Sequence, residues 1–180
     1  DRLKTDKYTL EDVISSLKKP NLDPRDEFPQ PLLKSDILDI KDLKVGMTKT
    51  LSEGFIDKDD MLYFANKYDN TPLHVDEEYA KTTRFGKLIA PGVMSFMVVW
   101  AKYLEEDYFG EELIAGSSTK IEWLKPTFAD DTLTGVVTIT NMKERNPYNG
   151  MVELTFDITN QSGELVMRNI TEAVIKRKPQ

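Results

Sequence analysis

The sequence predicts an α+β fold in which one long antiparallel sheet curls around a single buried helix. The helix is indicated by residues 93–104, which are apolar on nearly every face until the C-terminal turns. The sheet is indicated by four segments of strand character that follow this helix, at residues 118–124, 132–140, 151–159 and 165–175. An apolar helix of a soluble protein must be covered, and these strands are the elements available to cover it.

The third strand segment has the alternation expected of a sheet with one buried face. Its apolar residues are Val152, Leu154, Phe156 and Ile158, and the residues between them are Glu or Thr or Asp. The sequence Asn-Gln-Ser-Gly at residues 160–163 then predicts a hairpin turn into the last strand. We therefore expect these two strands to be antiparallel neighbours.

The segment before the central helix is predicted to contain one strand and two helices. Residues 45–55 favour a strand, and Asp57 with Asp60 marks the start of a helix. The apolar stripe of that helix consists of Met61, Phe64, Ala65 and Tyr68. Asp76 is predicted to cap a second, short helix that ends near Gly86, and we interpret it as a cap rather than a catalytic carboxylate.

The chain is predicted to divide into an N-terminal arm, residues 1–44, and a single folded domain, residues 45–180. Thr9 and Asp12 have the spacing of a capping box before a short amphipathic helix. A proline-rich segment follows it, with Pro20, Pro24, Pro29 and Pro31. The arm has no cluster of ionisable side chains, so we expect its role to be structural.

Composition excludes several classes of function. The net charge of −7 argues against a nucleic-acid-binding protein, and the absence of cysteine excludes a thiolate nucleophile, a disulfide framework and cysteine-ligated metals. The longest apolar run, residues 93–101, is too short to span a bilayer, and no signal-peptide pattern opens the chain. We expect a soluble, cytoplasmic protein that binds neither nucleic acid nor membrane.

The candidate catalytic residues are Asp69 and His74, the only histidine of the chain. Pro72 disfavours a continuous helix between them, and Asn70 and Thr71 favour turns, so the carboxylate and the imidazole can converge. Such a pair can serve in acid–base catalysis near neutral pH. The alternative is an ordinary surface histidine.

The sequence from Asp69 to Gly92 resembles the signature of the MaoC-like (R)-specific enoyl-CoA hydratases. The resemblance is carried by Asp-Asn-Thr-Pro-Leu-His-Val-Asp at 69–76, Ala80, Arg-Phe-Gly at 84–86 and Ile-Ala-Pro-Gly at 89–92. It extends with lower specificity over residues 45–176. The chain departs from the family pattern in having Tyr68 in place of glycine, Thr71 in place of asparagine and Pro91 in place of histidine.

This resemblance implies the hot-dog fold and a hydro-lyase that adds water to a 2-enoyl-CoA to give an (R)-3-hydroxyacyl-CoA. It implies that Asp69 and His74 form the catalytic pair and that the Gly92 N–H contributes to an oxyanion hole. The second role also follows from the position of Gly92 at the start of an apolar helix. A homodimer joined edge to edge, or a higher homo-oligomer, is expected as well, with acyl-CoA as substrate and with no metal or redox cofactor.

Further residues near this motif are candidates for substrate binding. Lys81, Arg84 and Lys87 could meet the phosphates of coenzyme A, although an exposed charged face is an equal alternative. An acyl pocket could be lined by Leu73, Met94, Ser95 and Phe96, and Tyr68 could shorten this pocket or donate a hydrogen bond. The alternative for the three residues of the central helix is a place in the core, and Tyr68 could instead complete the stripe of its own helix.

Three other functions remain open at this stage. A hot-dog thioesterase would need a carboxylate on the central helix, which offers only Ser95 before Lys102. A non-catalytic module that binds acyl thioesters or proteins would not require Asp69, His74 and Gly92 together. A dehydratase acting on an acyl carrier protein is the third. Acyl-chain length and the assignment of protons within the catalytic pair also stay open.

Overall fold

The computed structural model describes residues 43–106, 109 and 113–176. It contains six strands, β1 to β6, and four helices, α1 to α4, within this part of the chain. The strands are β1 Thr48–Thr50, β2 Gly54–Phe55, β3 Leu113–Trp123, β4 Thr132–Glu144, β5 Asn149–Asn160 and β6 Leu165–Lys176. The helices are α1 Lys58–Tyr68, α2 Pro72–Val75, α3 Glu77–Thr82 and α4 Gly92–Glu105. The predicted N-terminal arm lies almost entirely outside the described residues, so its boundary at residue 44 stays a prediction.

The six strands form one antiparallel sheet in the order β1-β4-β5-β6-β3, with β2 also paired to β4. Residues directly opposite one another lie on the same face of the sheet. Phe156 of β5 is opposite Val137 of β4 and Asn169 of β6, and all three side chains are buried. The predicted antiparallel sheet is therefore confirmed, and the hairpin at residues 160–163 joins β5 to β6 as expected.

The central helix α4 packs against this inner face of the sheet. Its buried residues are Met94, Ser95, Phe96, Val99 and Tyr103. The rings of Phe96 and Tyr103 meet the ring of Phe156 edge to face, with centroids 6.2 Å and 5.2 Å apart. The core thus lies between α4 and the middle strands of the sheet.

Two glycines allow α4 to approach the strands closely. A Cβ atom on Gly54 of β2 would lie 2.6 Å from Cγ1 of Val98, and one on Gly135 of β4 would lie 2.6 Å from Cγ1 of Val99. Both distances are shorter than van der Waals contact allows. The position of α4, and with it the site at its N-terminus, therefore depends on the absence of side chains at these two positions.

The prediction that α4 is buried on nearly every face is wrong for the single chain. Val93, Met97 and Leu104 are each 46–50% exposed, and their spacing of four and seven places them on one stripe of the helix. The sheet covers only the opposite face. An apolar stripe of this kind is typical of a helix that is covered by a second polypeptide chain.

The prediction of one strand over residues 45–55 is also wrong, because two short strands, β1 and β2, occupy this region. Leu51 lies between them and is buried, and its N–H donates to the carbonyl of Gly135 over 2.8 Å. Its side chain packs beside Gly135, where the absence of a Cβ atom leaves room for it. The chain leaves the regular ladder so that Leu51 can enter the core. No helix in the described part of the chain is long and apolar enough to cross a membrane.

Candidate active site

The site is built around the loop that connects α1 to α2. Asp57 caps α1 by accepting hydrogen bonds from the N–H groups of Asp59 and Asp60 at 2.9 and 3.0 Å, as the sequence predicts. Asp69 ends the helix, and its own N–H still bonds the carbonyl of Ala65 at 2.9 Å. The carboxylate of Asp69 is therefore held at the end of a regular helix.

His74 lies in the short helix α2, and its ring is held by a backbone carbonyl. Nδ1 is 2.6 Å from the carbonyl oxygen of Ile89, while the N–H of Ile89 donates to the carbonyl of Leu73 at 3.1 Å. A carbonyl oxygen can only accept, so Nδ1 carries a proton. In the neutral ring Nε2 then has a free lone pair and can accept a proton. Only 15% of the imidazole is exposed.

Asp69 and His74 face each other. The distance from His74 Nε2 to Asp69 Oδ2 is 3.5 Å, which is longer than a good direct hydrogen bond. The Asp69 carboxylate is 42% exposed, and its other oxygen, Oδ1, lies 3.4 Å from the hydroxyl of Thr71. A water molecule can therefore contact both members of the pair from the open side.

Gly92 begins helix α4, three residues after Ile89. Pro91 precedes it and provides no side-chain cap for the first turn. The segment is fixed on its other side, because the N–H of Ala90 donates to the carbonyl of Thr127 at 2.8 Å. A backbone N–H at the first position of a helix has no intrahelical acceptor and lies at the positive end of the helix dipole. It is therefore a suitable donor to an anionic oxygen.

The indole of Trp123, at the end of β3, lies over the Cα atom of Gly92. A Cβ atom at position 92 would lie 2.7 Å from Cδ1 and from Cε2 of this ring, and Nε1 is the ring atom nearest to it. Any side chain at position 92 would thus displace the indole. No role for Trp123 can be predicted from the sequence, because nothing in the pattern of β3 indicates which inward residue reaches the N-terminus of α4.

The five residues predicted to bind the acyl chain lie in different environments. Tyr68 is 64% exposed and its ring packs beside Phe64, with centroids 5.1 Å apart. Leu73 is half-buried beside His74. Met94 and Phe96 belong to the core cluster. Ser95 is fully buried, and its hydroxyl bonds that of Thr127 at 2.7 Å, so it supports the first turn of α4.

The three basic candidates are exposed and do not form one uniform cluster. Lys81 pairs with Glu78 at 2.6 Å, and the hydrogen bond and attraction from this carboxylate raise the pKa of the Lys81 ammonium. Arg84 lies over the ring of Phe85, and Lys87 lies over the ring of Phe128 at 4.1 Å. Arg84 and Lys87 thus keep charged groups in solvent near the site segment.

Asp76 accepts a hydrogen bond from the N–H of Tyr79 at 2.9 Å, which confirms that it caps the helix that follows it. The described residues contain no cluster of three or more His, Cys, Asp or Glu side chains that could hold a metal ion. The groups that the structure brings together at the site are therefore a carboxylate, an imidazole and the amino end of α4.

Comparison with known proteins places this arrangement in a family. The model of the MaoC-like domain matches residues 40–160. An (R)-specific enoyl-CoA hydratase of Aeromonas caviae is 30% identical over 135 residues, which are 74% of this chain and 95% of that protein. The uncharacterized protein YdeM of Bacillus subtilis is also 30% identical over 135 residues, 74% of this chain and 94% of its own.

The fold has solved counterparts as well. The crystal structure of a MaoC-like dehydratase from Rhodospirillum rubrum is similar with a TM-score of 0.70 and 28% identity, over 79% of this chain and 99% of that one. The sheet with its central helix therefore has the hot-dog fold of the MaoC-like dehydratases. The chain belongs to the MaoC-like domain family.

Proposed function

We propose that the protein is a hydro-lyase that adds water reversibly across the 2,3 double bond of a 2-enoyl-CoA, giving an (R)-3-hydroxyacyl-CoA. The observation that carries this proposal is the orientation of His74. Nδ1 is held by the carbonyl of Ile89 at 2.6 Å, and Nε2 faces the Asp69 carboxylate at 3.5 Å. This geometry provides a basic nitrogen and a carboxylate that can both contact one water molecule from the open side of the pair.

In the proposed reaction, this water lies on the open side of the pair and contacts both side chains. As its oxygen bonds to C3 of the substrate, one proton leaves it for the Asp69–His74 pair, and the pair returns a proton to C2 on the same face. The π bond between C2 and C3 is replaced by one C–O and one C–H bond, and the pair regains its initial protonation state. The chain's own residues supply this chemistry, and the proposal includes no metal or redox cofactor.

Negative charge develops on the thioester oxygen while the C–O bond forms. The N–H of Gly92 is suited to stabilise that charge, because it is at the positive end of α4 and has no cap. Loss of one donor of this type typically raises the barrier by about 3–4 kcal/mol. Asp69, His74 and Gly92 are thus the proposed catalytic groups.

We assign the remaining site residues to substrate binding. The exposed cations of Arg84 and Lys87 are suited to the phosphates of coenzyme A, since both are free of carboxylate partners within 4.0 Å among the described residues. Leu73, half-buried beside His74, would contact the acyl chain. Met94 and Phe96 would form the base of that pocket, and Tyr68 would act at its rim.

We also propose that the protein is a homodimer. The apolar stripe of α4 that contains Val93, Met97 and Leu104 is exposed in the single chain. Strand β3 is at the edge of the sheet and carries the exposed side chain of Ile114. A second copy of the chain would cover both surfaces by pairing its own β3 with this edge.

The proposal is tested by mixing the protein with crotonyl-CoA and following the ultraviolet absorbance of the conjugated thioester. We expect the absorbance to fall, with (R)-3-hydroxybutyryl-CoA as the product and no release of free thiol. Release of thiol would instead indicate a thioesterase. Absence of both reactions with short, long and branched enoyl-CoAs, and with the same acyl groups on a carrier protein, would contradict the proposal.

A further inference from the structure

Trp123 is the last residue of β3, and its side chain lies on the inner face of the sheet. It is directly opposite Met167 of β6, which is 1% exposed. The indole itself is 57% exposed and lies over Gly92. Trp123 therefore occupies the space immediately beside the N-terminus of α4, where the proposed oxyanion hole is located.

The indole N–H of Trp123 is a hydrogen-bond donor without an acceptor among the described residues. Nε1 is the ring atom nearest to the Cβ position of Gly92. Because the bonds around Cα are each about 1.5 Å long, Nε1 lies within roughly 5 Å of the Gly92 amide nitrogen. Two donors at that separation can both reach a single oxygen atom at hydrogen-bond distance.

We infer that Trp123 is a further catalytic residue, whose indole N–H donates to the thioester oxygen together with the N–H of Gly92. This inference rests on the proposed function. Tryptophan suits the role because its nitrogen can only donate and its rigid ring has few torsions. The inference also accounts for the glycine at position 92, since a side chain there would displace the second donor.

The alternative is that Trp123 only forms a wall of the pocket. Trp123→Phe distinguishes the two roles, because it keeps an aromatic ring and removes the N–H group. With crotonyl-CoA we expect kcat to fall roughly 100-fold and KM to change little, since the donor acts mainly on the charge of the transition state. Trp100→Phe, at the other tryptophan of the chain, is the control for loss of an indole and should retain most of the activity.

A spectroscopic measurement separates polarisation of the thioester from a structural effect. In Asp69→Asn protein, bound cinnamoyl-CoA should absorb at longer wavelength than free cinnamoyl-CoA, because donors at the carbonyl oxygen draw electrons through the conjugated system. Adding Trp123→Phe should reduce this shift. An unchanged shift together with a kcat within twofold of wild type would overturn the role of Trp123 and leave the hydratase function intact. A wild-type protein that hydrates no enoyl thioester would instead overturn the proposed function, and this inference with it.

Discussion

The imidazole of His74 and the carbonyl of Ile89 form a 2.6 Å hydrogen bond that determines which ring nitrogen is free. The same backbone segment continues through Ala90, whose N–H bonds the carbonyl of Thr127, to the start of α4 at Gly92. One short segment therefore orients one member of the proposed catalytic pair and also positions the proposed oxyanion donor.

The buried pair of Ser95 and Thr127 should stabilise the first turn of α4. Ser95→Ala would leave the Thr127 hydroxyl, now 2.7 Å from Ser95 Oγ, without that partner in a buried site. We expect the free energy of unfolding to fall by about 1–3 kcal/mol, as measured by urea denaturation. Ser52→Ala, at an exposed position, should change it by less than about 0.5 kcal/mol. Equal effects of the two substitutions would contradict the role of the buried pair.

Gly135→Ala should destabilise the protein by overpacking. The new methyl group would lie 2.6 Å from Cγ1 of Val99 and 3.2 Å from Cδ1 of Leu51, so α4 or β4 must move. We expect a loss of about 1–3 kcal/mol in unfolding free energy. Gly116→Ala is the matched control, because its Cβ would meet no atom within 4 Å. An unchanged unfolding free energy in Gly135→Ala would show that α4 does not lie this close to β4.

Substitutions at Gly92 and at Trp123 should have coupled effects on the free energy of unfolding. Gly92→Ala would push its methyl group into the indole, at a cost of about 1–3 kcal/mol, whereas in a Trp123→Ala background this clash with the indole would be absent. A double-mutant cycle measured by thermal or urea unfolding should give a coupling energy of about 1 kcal/mol or more. Additive effects would show that the indole does not lie over Gly92.

The apolar stripe of α4 should form part of the dimer interface. Met97→Glu would place one carboxylate from each subunit in an apolar contact and weaken dimerisation by about 3 kcal/mol or more. The dissociation constant of the dimer should therefore rise about 100-fold. Sedimentation velocity over a range of concentrations measures this change. Tyr148→Glu, at a residue that is 71% exposed on the β4–β5 hairpin, serves as the control. A monomeric wild type would contradict the proposed assembly.

Much of the fold can be predicted from the sequence because the relevant signals are local. The alternation from Val152 to Ile158 determines which face of β5 is buried, and the apolar run at residues 93–104 indicates the central helix. The division of residues 45–55 into two strands could not be predicted, because Leu51 leaves the ladder to fill space beside Gly135. Gly135 is about eighty residues away from Leu51 in the chain, so this packing leaves no local signal in the sequence.

The candidate site was predictable where residues close in sequence also meet in space. Asp69 and His74 are five residues apart, and a turn is sufficient to bring them together. The carbonyl that orients His74 is fifteen residues away, and Trp123 is thirty-one residues beyond Gly92, so both depend on tertiary structure. The exposure of Val93, Met97 and Leu104 could not be predicted either, because an apolar side chain on the surface of a helix is the same in sequence as one in the core.

The most direct test of the central claim is the crotonyl-CoA hydration rate of Asp69→Asn and His74→Gln. Each should lower kcat/KM by roughly 10²–10⁴-fold, because each removes one member of the acid–base pair. Asp59→Asn makes the same chemical change at an exposed position of α1 and should stay within twofold of wild type. Near-wild-type hydration by both Asp69→Asn and His74→Gln would contradict the account.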